Sequence, residues 1–272
     1  MNRDNQDILE TIVANKRLEV AQQKEAMTLD MLLNMSEQRF DMPTVPMRRS
    51  LENSKSGIIA EFKRRSPSKG WLFPDAKVED IVPVYERGGA SACSILTDSE
   101  FFGGSFGDLK RARQLVKLPL LRKDFIIDEY QVFQARALGA DAVLLIAACL
   151  TEEECRHLSL IARQIDLEVL LEIHTEEELS YLNDDVSMVG INNRNLGTFN
   201  TDVANSYNLI DRLKAEAGSD FLLVSESGIS SAEDIRRLRQ AGFRGFLLGE
   251  AFMKTPDPGE TLALMIQQLA IE

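Results

Sequence analysis

Short apolar runs rich in leucine and β-branched residues alternate along the chain with segments whose apolar residues fall three and four apart. The runs are IIAEFK (Ile58–Lys63), ASACSIL (Ala90–Leu96), LPLLRK (Leu118–Lys123), AVLLIAA (Ala142–Ala148), EVLLEI (Glu168–Ile173), MVGIN (Met188–Asn192), FLLVSE (Phe221–Glu226) and GFLLG (Gly245–Gly249). Runs of this length bounded by turn residues predict eight strands. The segments between them include VEDIVPVYERGG, GDLKRARQLV, DEYQVFQARALGA, TEEECRHLSLIARQI, TEEELSYL, TDVANSYNLIDRL and SAEDIRRLRQAG, with a last one after Pro258. They have charged outer faces, and several open on Ser, Thr or Asp and close on Gly, as capped helices do. One βα unit repeated eight times, at a spacing of about 25 to 30 residues, predicts an α/β chain closed into a (β/α)8 (TIM) barrel. A doubly wound sheet is the alternative, but it has fewer strands as a rule, and no GxGxxG turn follows the first run.

About 55 residues precede the first run, too few and too thinly apolar to hold a core of their own. Ile8, Ile12 and Val13, with Leu9 beside them, give one helix an apolar stripe, and LDMLL (Leu29–Leu33) begins a second. Pro43 and Pro46 then break the helical pattern. Residues 1–272 therefore read as one barrel domain, of which 1–55 is an N-terminal helical extension. We expect it to cover the barrel mouth beside the first βα loop.

Charge and composition narrow the partners. With 31 basic and 43 acidic residues the net charge is −12, which disfavours nucleic acid or an anionic membrane and requires a local basic pocket for any anionic ligand. Cys93, Cys149 and Cys155 lack CxxC spacing. They indicate neither a disulfide framework nor a zinc site, so a reduced, cytoplasmic setting is expected. The N-terminal stretch is charged, and no run approaches about 18 apolar residues, so no leader or membrane span is expected.

Polar residues gather where the strands end. Strand residues of a barrel alternate between its interior and the helix layer, and sites form at the carboxyl ends. Glu61 and Lys63 therefore point inward at the mouth. The third run ends in Lys123-Asp124-Phe125, the fifth in Glu172, the sixth in Asn192-Asn193-Arg194 and the seventh in Ser225-Glu226-Ser227-Gly228. Any one of these would pass as a solvated or structural pair. Five strands ending this way need each other or a ligand to offset desolvation. After the last two runs, Ser227-Gly228-Ile229 leads to a helix opening at Ser231, and Gly249-Glu250 follows the eighth. Tight turns would account for either glycine, but backbone N–H groups and helix N-termini there would also cradle a phosphate. His157, His174 and the RRLRQ run read as structural or solvated, while Trp71 in the first loop fits a lid or an anchor equally.

Taken together, EFKRRSPSKG, SILTDSEFFGGS, LLRKDFIID, LLEIH, GINNRNL, VSESGI and LLGEAFM, in this order on successive strands, resemble the indole-3-glycerol phosphate synthase family across essentially the whole chain. The resemblance implies a metal- and cofactor-free lyase of tryptophan biosynthesis. It would close the ring of 1-(2-carboxyphenylamino)-1-deoxyribulose 5-phosphate to give indole-3-glycerol phosphate, carbon dioxide and water. A small phosphorylated substrate, no nucleic-acid or membrane partner and a monomer go with it, and the family's fused second barrel is not expected. By the same resemblance Lys123 matches a general acid for the ketone oxygen and Glu172 a carboxylate acting in the loss of water. Lys63 and Glu61 would lie beside the reacting centre and phosphate. Asn192 and Arg194 would hold the substrate, Arg194 through its fork to the carboxylate. Glu226 and Ser227 would complete the mouth. Pro67, Phe102, Phe125, Leu144 and Leu196 would enclose the aromatic ring. Ser66, Gly228, Gly249 and Glu250 would lie near the phosphate, Glu250 through its backbone N–H because some relatives have serine there. Which of Lys123, Lys63 and Glu172 serves each proton transfer stays open, as does the protonation of Lys123, which nearby cations and acids push in opposite directions. Another phosphate-handling barrel would not call for both lysines beside Glu172, and a binding-only descendant would have lost an ionisable group.

Overall fold

In the computed structural model, which describes residues 8–194, 201–217 and 221–270, the eight runs form parallel strands. They are β1 (Ile58–Phe62), β2 (Ala92–Leu96), β3 (Leu120–Lys123), β4 (Ala142–Ile146), β5 (Glu168–Ile173), β6 (Met188–Asn192), β7 (Leu222–Glu226) and β8 (Gly245–Leu248). Each pairs with the next, and β8 returns to β1 through Ile58 opposite Phe246, so the sheet closes into a barrel with no free edge. Side chains alternate as the pleat requires. Ile59, Leu121, Leu144, Leu170 and Val224 fill the interior, whereas Ile58, Val143, Leu171 and Leu223 meet the helices.

Helices α4 (Val78–Arg87), α5 (Phe106–Leu115), α6 (Glu129–Leu138), α7 (Glu152–Gln164), α8 (Ala204–Ala217), α9 (Ala232–Ala241), a short α10 (Glu250–Met253) and α11 (Pro258–Leu269) cover the sheet. The expected helix in TEEELSYL is instead a 3₁₀ turn, Glu177–Tyr181. There Asn183 bonds the Tyr181 carbonyl and the Asp185 amide, a side-chain alternative that stops a helix from propagating. No described helix is long and apolar enough to cross a membrane.

The extension forms α1 (Ile8–Ala26), α2 (Leu29–Asp41) and α3 (Met47–Asn53), and it reaches both ends of the barrel. At the floor, Met47 and Leu51 are fully buried against Ile59, Leu121, Leu170 and Met188. Glu168, at the start of β5, accepts from the Met47 and Arg48 amides, placing a carboxylate on the N-terminus of α3. α2 lies along α6. α1 crosses the mouth, sharing a cavity with Pro67 of the first loop through Ile8, Leu9 and Ile12, and lies beside the loops after β2 and β3. The reason is Lys16, which falls on the buried stripe between Ile12 and Val20 and needs buried carboxylates. Its Nζ finds Asp98 at 3.1 Å, Asp124 at 3.0 Å and Glu19 at 2.7 Å. Burial would lower its pKa, but Asp124, Asp98 and Glu19 outweigh that and raise it. Asp124 is held in turn by the fully buried Arg122 at 3.0 Å and by Thr97. In the first loop Arg65–Ser66 pairs with Gly70–Trp71 as a small hairpin. Exposed Trp71 faces the Arg65 guanidinium at 5.6 Å.

Candidate active site

The strand ends converge on one cavity at the mouth, bordered by Glu61, Lys63, Lys123, Glu172, Asn192, Arg194, Glu226 and Ser227. Lys123, last in β3, extends its Nζ to Glu172 Oε2 at 3.1 Å and to Glu226 Oε2 at 3.7 Å. The second Glu172 oxygen accepts from Asn192 Nδ2 at 3.0 Å and lies 3.4 Å from His174 Nε2. Across the mouth, Lys63 Nζ meets Glu61 Oε1 at 2.5 Å. Glycines admit these carboxylates. A Cβ at Gly190 would sit 2.1 Å from Glu226 Oε1, and one at Gly249 would sit 2.3 Å from Glu61 Oε1.

The charges set one another. Burial disfavours charge on Lys123, but Glu172, Glu226 and Glu61 hold its ammonium well above the usual lysine range. Burial likewise pushes Glu172 up, yet Lys123, His174 and the Asn192 bond bring it down to about 2. Glu226 goes the other way. Burial and the neighbouring Glu172 charge raise it well above the carboxylate range against the pull of Lys123, and neither of its oxygens has a hydrogen-bond partner among the described residues. The centre thus sets a carboxylate pulled down by its cation beside one pushed up by burial and its neighbour's charge.

This arrangement has a measurable consequence. An unfolded glutamate ionises near pH 4.3, so above that value folding must return a proton to Glu226. The stability associated with its raised pKa is fully present below the unfolded value and is lost as pH rises through the folded one. Glu226→Gln needs no proton. Urea unfolding should find it more stable than the parent at pH 7, the gap widening by about 1.4 kcal/mol per pH unit above about pH 4. A gap that does not change with pH would mean that Glu226 is ionised in the fold.

Apolar residues line one side of the cavity. Pro67, Phe102, Phe125 and Leu144 are all there, the rings of Phe102 and Phe125 5.9 Å apart. Leu196 lies outside the described residues. Ile8, Leu9 and Ile12 of α1, with Leu96, Ile146 and Leu247, complete this wall without having been expected in it. The apolar stripe of α1 was the signal for the first three. Beyond Arg194 a second recess is bordered by Ser68, Lys69, Gly228, Ser230, Glu250 and Lys254.

Gly228 and Glu250 border this recess, but Gly249 lies against Glu61, and Ser66 is buried in the hairpin while Ser68 takes the wall. Arg194 turns toward this side, its guanidinium bonding Ser68 Oγ at 3.0 Å and Glu250 Oε2 at 3.3 Å. The Glu250 side chain therefore engages an arginine, a contact that the backbone-only expectation had omitted. Ser227 and Gly228 both have positive φ, 65° and 77°, a turn that costs a non-glycine residue about 1–2 kcal/mol. Asn193 braces it by donating to the Ser227 carbonyl at 3.1 Å. Outside the site, exposed His157 pairs with Glu129, and Arg236 and Arg237 of the RRLRQ run pair with Glu233.

A (β/α)8 barrel with a lysine–carboxylate centre at its mouth and a cationic recess beside it is an enzyme scaffold for proton transfer on a small anionic molecule. Comparison with known proteins narrows this class. Residues 9–265 match the family description "Indole-3-glycerol phosphate synthase". The indole-3-glycerol phosphate synthase of Bacteroides thetaiotaomicron is 59% identical over 257 residues, covering 94% of this chain and 96% of its own. That of a Polaromonas species is 44% identical over 260 residues, covering 94% and 97%. Among solved structures, the tryptophan synthase A-subunit of Pyrococcus furiosus superposes with a TM-score of 0.58 at 16% identity, over 80% of this chain and 98% of that one, a likeness of fold. The chain belongs to the indole-3-glycerol phosphate synthase family, and so to the carbon–carbon lyases of tryptophan biosynthesis.

Proposed function

We propose that the ring closure of 1-(2-carboxyphenylamino)-1-deoxyribulose 5-phosphate runs at this mouth with Lys123 as the acid and Glu172 as the base. The observation that carries the assignment is the contact of the Lys123 ammonium with Glu172 at 3.1 Å inside the cavity. Lys123 protonates the ketone oxygen as the aromatic carbon bonds to the carbonyl carbon. The carboxylate leaves as carbon dioxide, and its bond electrons restore the aromatic ring. Water then departs with a second proton while Glu172 takes one from the adjacent methylene. The ring lies against Phe102, Phe125 and Leu144, and the phosphate fits the recess bordered by Lys69, Arg194 and Gly228, with Lys63 on the adjoining cavity. Ser227 and Asn192 position the groups between.

Because lysine and glutamate serve every proton transfer, indole fluorescence should appear from this substrate in buffer containing chelator at the rate seen without it. Activity lost on chelation and restored by a divalent metal would overturn the metal-free reading. Glu172→Gln should abolish most turnover while leaving substrate binding intact.

A further inference from the structure

The proposed reaction has a proton balance that the centre cannot meet alone. The departing oxygen gains two protons, the methylene releases one, and the leaving carboxylate releases none. Each turnover therefore draws one proton from solvent, and Lys123 must be recharged between its two donations.

Behind Glu172 stands His174, just past the end of β5, with a ring only 11% exposed. Nε2 lies 3.4 Å from Glu172 Oε1, on the side of that carboxylate away from Lys123, and Nδ1 lies 3.7 Å from Glu178 Oε2. Neither nitrogen has a hydrogen-bond partner among the described residues. The backbone is pinned on both sides of the ring: the His174 amide donates to Glu178, and its carbonyl accepts from Asn205 of α8, which also holds the Asn192 carbonyl. The charged groups acting on the ring are Glu178, Glu172 and, beyond Glu172, Lys123. Burial opposes its charge, but the two carboxylates prevail and raise its pKa.

We propose that His174 is a relay residue that carries the proton consumed in each turnover from Glu178 inward to Glu172. An imidazole can accept a proton at one nitrogen while releasing one at the other. After Lys123 has protonated the ketone, imidazolium passes a proton to Glu172 Oε1, rotation of the resulting carboxyl group carries that same proton round to the neutral lysine, and Glu178 reprotonates the ring from solvent. Lys123 then donates again as water leaves, Glu172 takes the methylene proton and returns it to Lys123, and every group is restored.

The inference rests on Glu172 as the base, which Glu172→Gln tests separately from the variants at 174. His174→Gln preserves size and polarity but cannot carry a proton. It should lower kcat by about tenfold or more at pH 8 with KM unchanged, a deficit that shrinks toward pH 6 as solvent supplies protons directly. Added imidazole should restore kcat to His174→Ala. Glu178→Gln, at the outer end, provides a second variant should the first fold poorly, and the same pH pattern is expected. Parent-like kcat from pH 6 to 9 in either glutamine variant, or no response of His174→Ala to imidazole, would overturn the relay.

Discussion

Replacing Lys123 with Met should lower kcat by about 100-fold or more while substrate still binds, since methionine keeps most of the stem and removes the acid. The variant also strips Glu172 of the cation that most depresses its pKa, so the base becomes harder to keep ionised as the acid is lost. Lys63→Met should act differently. Lys63 is paired with Glu61 at the end of the same strand; in the proposed role its charge serves the phosphate in ground and transition states alike, so its loss should weaken binding at least as much as turnover. Single-turnover kinetics with a binding titration for both variants separates the cases. If Lys123→Met turns over like the parent, the acid is elsewhere, and Lys63 is the next candidate.

Lys16→Met should have the largest effect on structure. It leaves Asp98 and Asp124 buried without their shared ammonium, and breaking a buried pair from one side costs about 3–5 kcal/mol. α1 buries only Ile12, Lys16 and Val20 among its described side chains, so this loss rivals the value of docking the helix. We therefore expect α1 to detach while the barrel stays folded. Amides from 8 to 26 should lose hydrogen-exchange protection, and KM should rise because Ile8, Leu9 and Ile12 leave the cavity wall. Protected amides with an unchanged KM would show that the ion cluster does not fasten the mouth.

Lys16 also marks the limit of what the sequence made legible. The strands announced themselves, because eight apolar runs separated by capped helical segments admit few packings, and only their ends moved by a residue or two. The inward carboxylates and lysines followed from two-residue alternation along β1, β3, β5 and β7. What alternation could not supply was the choice of partner. A lysine between Ile12 and Val20 looks like an interruption of a stripe until Asp98 and Asp124, from the loops after two different strands, are brought beneath it. The same holds for Arg194, whose contacts with Ser68 and Glu250 no alternation could foretell. Opposite shifts on Glu172 and Glu226 were likewise invisible, since they depend on which carboxylate lies nearer Lys123.

The extension that touches both ends of the barrel has a consequence for the order of assembly. Its residues are made before the barrel, yet Met47 bonds Glu168, 121 positions later, and Lys24 bonds Asp128, 104 positions later. Such contacts close long loops and are slow to form. During synthesis the first helices must therefore wait, apolar faces uncovered, until β3 to β5 have emerged. Pulse-labelled hydrogen exchange during refolding should find α1 and α3 protected after the central strands, and protection of α1 first would refute that order. A segment made ahead of the barrel would then be among the last to find its seat, holding the barrel's floor and mouth unfinished until the middle of the chain exists.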